Sequence, residues 1–208
     1  MQNQISIILS QIQPHFLYNS LVVIQQLCKT DPKMAGETVV EFSNYLRGNL
    51  DSLVLRRPIT FERELSHVES YLSIEKKRFN ERLHIEYDIK ASDFMLPALT
   101  LQVIVENAVR NGITKKDEGG TVRIETRKLS SKNSVVITVI DDGAGFDPQN
   151  EDNHVGWETP DYLSAADNQV QAGVIENVRN RLAAMCGGSL EINSKPGVGT
   201  TVVITIPL

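Results

Sequence analysis

Apolar positions in the first third of the chain recur at three- and four-residue steps. Ile5, Ile8, Leu9, Ile12 and Phe16 fall on one stripe, the spacing of an amphipathic helix. Asp31-Pro32 puts an N-cap residue before a proline at the first helical position. Behind it Val39, Phe42, Leu46, Leu50 and Leu53 continue the pattern. Pro58 breaks it, and Leu65, Val68, Leu72 and Phe79 restart it. Such stripes cannot be buried by one helix. They predict an antiparallel helical hairpin that pairs with a second copy as a four-helix bundle.

Near Leu83 the period changes to two. Leu83 to Ile89 alternates apolar and polar residues, which predicts a half-buried strand. Pro97 opens a helix through Leu101, Ile104, Val105 and Ala108, stopped near Gly112. Thr121 to Leu129 and Ser134 to Ile140 read as a hairpin after the Gly119-Gly120 turn. A helix from about Val174 to Met185 ends at Gly187-Gly188. Ser189 to Ser194 and Thr200 to Ile206 form a last hairpin. The second part is therefore α+β: a mostly antiparallel sheet with helices on one face. The polar stretch from Phe146 to Gln171 exceeds ordinary loop lengths, which marks a functional lid.

Composition narrows the class. The 208 residues carry 21 basic and 26 acidic side chains, so 21 − 26 = −5. That length fits one large domain or two small ones, and the charge argues against a nucleic-acid binder held by positive field. At 41% hydrophobic and 6% aromatic, the chain can bury a mainly aliphatic core. No run reaches the roughly 18 apolar residues of a membrane span. No charged region precedes the first apolar run, which argues against a signal peptide. Cys28 and Cys186 match no metal or redox spacing. The chain opens inside a helical pattern with no start signal, so a portion of a longer protein is expected.

Four patterns carry chemistry. Asp141-Asp142-Gly143-Ala144-Gly145 ends an apolar strand, offering an acceptor for an exocyclic amine and glycines that admit a ligand. Glu106-Asn107-Ala108-Val109-Arg110-Asn111 places Asn107 and Arg110 on one helical face, an amide for Mg2+ and a guanidinium for phosphate. Gly173 leads into a helix whose N-terminal amides could hold a phosphate. Gly197-Val198-Gly199-Thr200-Thr201 joins two strands. Alone, each also fits a plain turn or a polar helix face.

Their order resembles the Bergerat-type ATP-binding domain of histidine kinases, type II topoisomerases, a class of heat-shock chaperones and mismatch-repair ATPases. The resemblance implies an α/β sandwich that binds ATP with Mg2+. In it Asp141 takes the adenine amine, Gly143 and Gly145 shape the floor, and Asn107 holds Mg2+. Gly173 closes on the phosphates, and Gly199 with Thr200 or Thr201 lies at the adenine end.

The helical part selects among these relatives. Gln11-Ile12-Gln13-Pro14-His15-Phe16-Leu17-Tyr18-Asn19-Ser20-Leu21 resembles the phosphoacceptor box of the LytS/YehU-type sensor histidine kinases. Leu46-Arg47, Tyr71-Leu72-Ser73-Ile74-Glu75 with Arg78-Phe79, and Asn177-Val178-Arg179-Asn180-Arg181-Leu182 resemble further elements of that family. The resemblance implies dimerisation and phosphotransfer helices over 1–80 and an ATP-binding domain over 81–208. It implies autophosphorylation of His15, with Arg110 neutralising charge and Glu106 as a candidate base. The partners implied are a second copy and a response-regulator receiver domain, the chain being the cytoplasmic portion of a membrane sensor.

The sequence departs from the family pattern Gln-Pro-Leu-Val-Glu-Asn-Ala-x-Lys-His-Gly at Val103 and at Asn111, which replaces the histidine. Asn111 can still donate a hydrogen bond to phosphate but carries no charge. Where the family has Gly-Ile-Gly-Leu, this chain has Ala172-Gly173-Val174-Ile175. These departures leave open a second expectation, a nucleotide-poor signalling module. An ATPase of the topoisomerase or chaperone type is a third, against which the Pro14-His15-Phe16 box speaks.

Overall fold

The computed structural model describes residues 14–54, 57–147 and 173–208. Three helices come first: α1 (Pro14–Thr30), α2 (Pro32–Val54) and α3 (Phe61–Phe79). Asp31 alone separates α1 from α2. Its Oδ1 accepts the Met34 amide at 2.9 Å, and Pro32 takes the first helical position, where no N–H is needed. The Thr60 hydroxyl caps α3 by accepting the Arg63 amide. Glu62 and Glu64 in its first turn and Lys76, Lys77 and Arg78 in its last complement the helix dipole. Of the stripe expected on the first segment, Phe16 is buried; Ile5, Ile8, Leu9 and Ile12 lie outside the described residues.

The Phe16 ring joins the three helices. Its centroid lies 4.5 Å from that of Tyr45 on α2 and 5.0 Å from that of Tyr71 on α3. Ser73 and Lys77 of α3 both donate to the Glu41 carboxylate of α2. The buried face of α3 also meets the second part of the chain: Phe61, Leu72 and Ile74 belong to one apolar cluster with Leu83, Leu96 and Leu101.

Two short strands, β1 (Ile59–Thr60) and β3 (Met95–Leu96), pair with each other. Two residues carry no period, so no pattern announces them. The main sheet holds β2 (Leu83–Ile89), β4 (Gly120–Leu129), β5 (Ser134–Asp141), β6 (Ser189–Lys195) and β7 (Gly199–Pro207). Its order is β2-β4-β5-β7-β6. Only β2 and β4 run parallel; β4–β5 and β6–β7 form the two antiparallel hairpins that the spacing predicts, and β5 pairs antiparallel with β7. Val135, Ile137 and Val139 of β5 are buried while Val136, Thr138 and Ile140 are half-exposed. On the open face Arg123 and Arg127 pair with Glu125.

Helices α4 (Thr100–Asn107) and α5 (Gly173–Cys186) complete the fold, with Leu101, Ile104, Val178 and Leu182 buried. The bounds of α5 match the sequence pattern. Those of α4 do not. The single helix expected from Pro97 to Gly112 begins at Thr100, and its α-helical part stops at Asn107. Ala108–Gly112 is a π-helical turn. Leu99, in the left-handed conformation at φ 58°, sets the start. The free amides of α4 are satisfied by a carboxylate from α3: Glu64 accepts from Leu99 (3.0 Å), Leu101 (2.9 Å) and Gln102 (3.2 Å). A cap drawn from more than thirty residues away leaves no local signal. Burial pushes the Glu64 carboxyl up to about 7 against those three bonds and the Arg181 charge.

Candidate functional site

The strand period puts Asp141 where a hydrophobic side chain would otherwise go. It ends β5 on the same face as Val135, Ile137 and Val139, and is 6% exposed. Across the ladder it faces Thr200, the second residue of β7. The Thr200 amide and hydroxyl both bond its carboxylate, and the Gly143 amide donates to Oδ1 at 3.0 Å. Burial still pushes the Asp141 carboxyl up to about 6, with the Asp142 charge adding to it. Asp142 itself is exposed and structural: its Oδ1 accepts the Thr121 amide at 2.7 Å.

A cleft of about 450 Å³, the open space at its mouth included, opens over Asp141. Ile104, Ala108, Val139 and Val202 form apolar walls, with Asn107, Gly112, Lys115, Gly145, Phe146 and Thr200 around them. Apolar walls with a few convergent polar groups are the lining of a small-molecule site. Glycines set its floor. A Cβ on Gly112 would come 2.5 Å from Asp141 Oδ1, and one on Gly143 would come 2.2 Å from the carbonyl carbon of Gly112. Gly199 lies beside the carbonyl of Asp141 at φ +124°, a conformation that glycine adopts freely. Ser194 Oγ accepts the Phe146 amide at 2.9 Å, tying the loop after Asp141 to β6.

These residues fit a purine nucleotide: apolar walls, a carboxylate acceptor at the base, and backbone that approaches closely. Asn107 Nδ2 donates to the Val103 carbonyl at 2.8 Å, which turns the nitrogen back onto the helix. The amide oxygen is the atom suited to a cation.

The structure sorts the residues singled out in the sequence. Asn107, Asp141, Gly145 and Thr200 line the cleft, and Gly143 and Gly199 pack under it. Thr201, one residue on, falls on the opposite face of β7 by strand alternation. Arg110 does not line the cleft. Its charge acts instead on Glu106, four residues before it on the helix, and on Tyr71. Glu106 accepts from Tyr45 Oη (3.1 Å) and Gln102 Nε2 (2.6 Å), and burial raises its carboxyl above the usual range. Gly173 is the first residue of α5. Ala172, most of the expected lid (148–171) and the side chain of Asn111 lie outside the described residues. His15 is exposed on the first turn of α1, with Asn19 Nδ2 3.1 Å from its ring nitrogen Nδ1. Lys115 was not singled out by any motif, and Phe146 only as the first residue of the expected lid. Lys115 reaches the cleft from the 3-10 turn Ile113–Lys115, and Phe146 from the loop after β5.

Comparisons agree with this geometry. A family model described as "Histidine kinase" matches residues 3–83, and one described as "Histidine kinase-, DNA gyrase B-, and HSP90-like ATPase" matches residues 97–208. The uncharacterised protein YwpD of Bacillus subtilis (strain 168) is 42% identical over 200 residues, 96% of this chain and 68% of that protein. Sensor protein LytS of Staphylococcus saprophyticus is 29% identical over 205 residues, 95% of this chain but 32% of LytS. The chain thus spans about a third of that sensor's length. The histidine kinase domain of a blue-light activated kinase from Erythrobacter litoralis EL346 has the same fold, with TM-score 0.51 and 15% identity. That match covers 99% of this chain and 94% of that one. With family models matching both its helical and its nucleotide-site halves, the chain belongs to the histidine kinases.

Proposed function

We propose that this chain is the kinase portion of a two-component sensor that phosphorylates His15 from ATP and passes the phosphoryl group to an aspartate of a response regulator. The observation that carries the reading is the cleft built on Asp141. It joins a buried acceptor, a glycine floor and apolar walls to Asn107 on the wall helix. A chain with that cleft and an exposed histidine on a separate helix has both ends of a phosphoryl transfer.

In this reading Asp141 and Thr200 take the adenine, and Gly143, Gly145 and Gly199 keep the floor open. Gly173 and the segment before it close over the phosphates, where Asn111 donates a hydrogen bond. Asn107 holds Mg2+, which neutralises phosphate charge when bound. A ring nitrogen of neutral His15 forms the new N–P bond as the bond from the γ-phosphorus to the ADP oxygen breaks. The imidazole proton passes to a base, for which Glu106 is the candidate. Arg110, held near Glu106, contributes positive charge. The dimerisation and phosphotransfer helices take up 1–80 and the ATP-binding domain 81–208. No helix among the described residues is long and apolar enough to cross a membrane; the full sensor would carry its anchor elsewhere and keep this portion in the cytoplasm.

A second copy completes the helical part. Tyr18 and Leu21 on α1 and Val39, Val40 and Leu50 on α2 are exposed large apolar side chains, a stripe suited to a four-helix bundle.

The test is direct. Protein incubated with γ-labelled ATP and Mg2+ should gain acid-labile, base-stable label that His15→Ala abolishes. Equal labelling of the variant overturns the acceptor assignment. Steady ATP hydrolysis with no labelled protein would instead point to an ATPase, and no ATP binding at millimolar nucleotide to a signalling module.

A further inference from the structure

A hydrogen bond joins α2, which packs against the helix that carries His15, to the helix that lines the nucleotide cleft. Tyr45 of α2, 1% exposed, donates its hydroxyl to Glu106 Oε1 at 3.1 Å. The same oxygen accepts Gln102 Nε2 at 2.6 Å. Tyr45 is fixed from several sides. The Phe16 ring centroid is 4.5 Å away, that of Tyr71 6.0 Å and that of His67 5.5 Å, and His67 Nε2 donates to the Tyr45 carbonyl at 3.1 Å.

Sequence neighbours make this contact notable. Phe16 directly follows His15, and Glu106 directly precedes Asn107. Asn107 is also the last residue of α4 before the backbone passes into the π-helical turn. Beyond that point the backbone ladder continues in π-helical form, with the Ala108 amide on the Ile104 and Val105 carbonyls and the Ile113 amide on those of Ala108 and Val109. Two side-chain bonds add to it: Asn107 to Val103 within the helix, and Glu106 to Tyr45 across to α2, the one of the two that reaches outside α4.

We infer that Tyr45 is a positioning residue: its hydroxyl on Glu106 sets the last turn of α4, and with it Asn107, against α2 and, through the Phe16 contact, α1, which carries His15. Nucleotide binding and docking of α1 and α2 are then energetically linked. Linkage is reciprocal. Whatever the docked helices contribute to ATP affinity, ATP returns as tighter docking. The inference rests on reading the Asp141 cleft as an ATP site.

Two measurements on the full chain test it. Tyr45→Phe keeps the ring in the aromatic cluster and removes only the donor. Glu106→Gln keeps an oxygen that accepts the Tyr45 hydroxyl. Calorimetry with ATP and Mg2+ should show affinity weakened about 3- to 10-fold by Tyr45→Phe, the range expected for one lost hydrogen bond. Hydrogen exchange of Pro32–Val54 should slow when ATP binds wild type and Glu106→Gln, and should not respond to ATP in Tyr45→Phe. If wild type binds ATP while Tyr45→Phe keeps both its affinity and its ATP-dependent protection, the coupling is overturned and the ATP site stands. If wild type fails to bind ATP, both fall. A thermal melt of Tyr45→Phe within about two degrees of wild type separates loss of coupling from loss of fold.

Discussion

The carboxylate of Asp141 occupies the space in which a side chain on Gly112 would begin. A Cβ there would lie 2.5 Å from Oδ1 and 2.9 Å from the carboxyl carbon. Gly112 does not stop the helix, since helical turns continue through Lys115: its missing side chain lets the π-helical turn after α4 close onto the base of the cleft. Gly112→Ala should displace Asp141 and weaken ATP binding about tenfold or more, with roughly 1–3 kcal/mol lost in stability. Calorimetry and denaturant unfolding measure the two effects, and unchanged affinity would mean that Asp141 does not touch the nucleotide.

The Asp141 carboxyl, pushed up to about 6 by burial, is protonated in part just below neutrality. The ionised form is the stronger acceptor for an amine. ATP affinity should rise from about pH 5 to about pH 7, and bound ATP should lower the carboxyl's value by linkage. Asp141→Asn should weaken binding and flatten that profile. A pH profile that stays the same in the variant would assign the titration elsewhere.

Glu64 makes the opposite kind of prediction, about stability. Its folded value of about 7 lies above the ordinary 4.5. The stabilisation it gives is fully present below the ordinary value and is lost as pH rises through about 7. About 3 kcal/mol is the scale of that loss. Unfolding curves taken at intervals from about pH 5 to about pH 8 should show it. Glu64→Gln should flatten the slope while lowering stability throughout, since its NH2 would face one of the three donor amides.

Lys115 lies on the rim of the cleft in an exposed turn. Its ammonium suits the anionic end of a nucleotide, and exposure keeps the contribution small. Lys115→Ala should weaken ATP binding about 2- to 5-fold, with the difference shrinking at high salt. A salt-independent difference would indicate packing rather than charge.

Val40 on α2 is 60% exposed, in the stripe assigned to a second copy. Val40→Asp should shift sedimentation from dimer to monomer, because a charge would be buried against apolar side chains. His15 labelling then becomes the reporter of whether dimerisation is needed. A variant that sediments as wild type would place the interface elsewhere.

Local pattern carries the elements that bury a stripe or a face. The five main strands, the N-cap at Asp31 and the bounds of α5 all follow from period and capping within a few residues of each site. The same holds for Asp141: strand alternation alone puts it on the face of Ile137 and Val139. What lacked a local signal was set from a distance. The start of α4 depends on Glu64, the short β1–β3 pair on its partner strand, and the approach of Lys115 and Phe146 on a 3-10 turn and a loop that the fold brings together.

By itself, then, the sequence determined the helical and α+β parts, the order of the glycine and acidic motifs, and the carboxylate at the base of the cleft. Each of these depends on residues close together in the chain, where hydrogen-bond geometry and side-chain period leave few alternatives. Only the tertiary structure decided that Thr200 rather than Thr201 faces that carboxylate. Likewise, only it set Tyr45 on the helix that carries Asn107. Those outcomes depend on which segments pack against one another, and a π-helical turn or a borrowed cap changes them without leaving a mark on the local pattern.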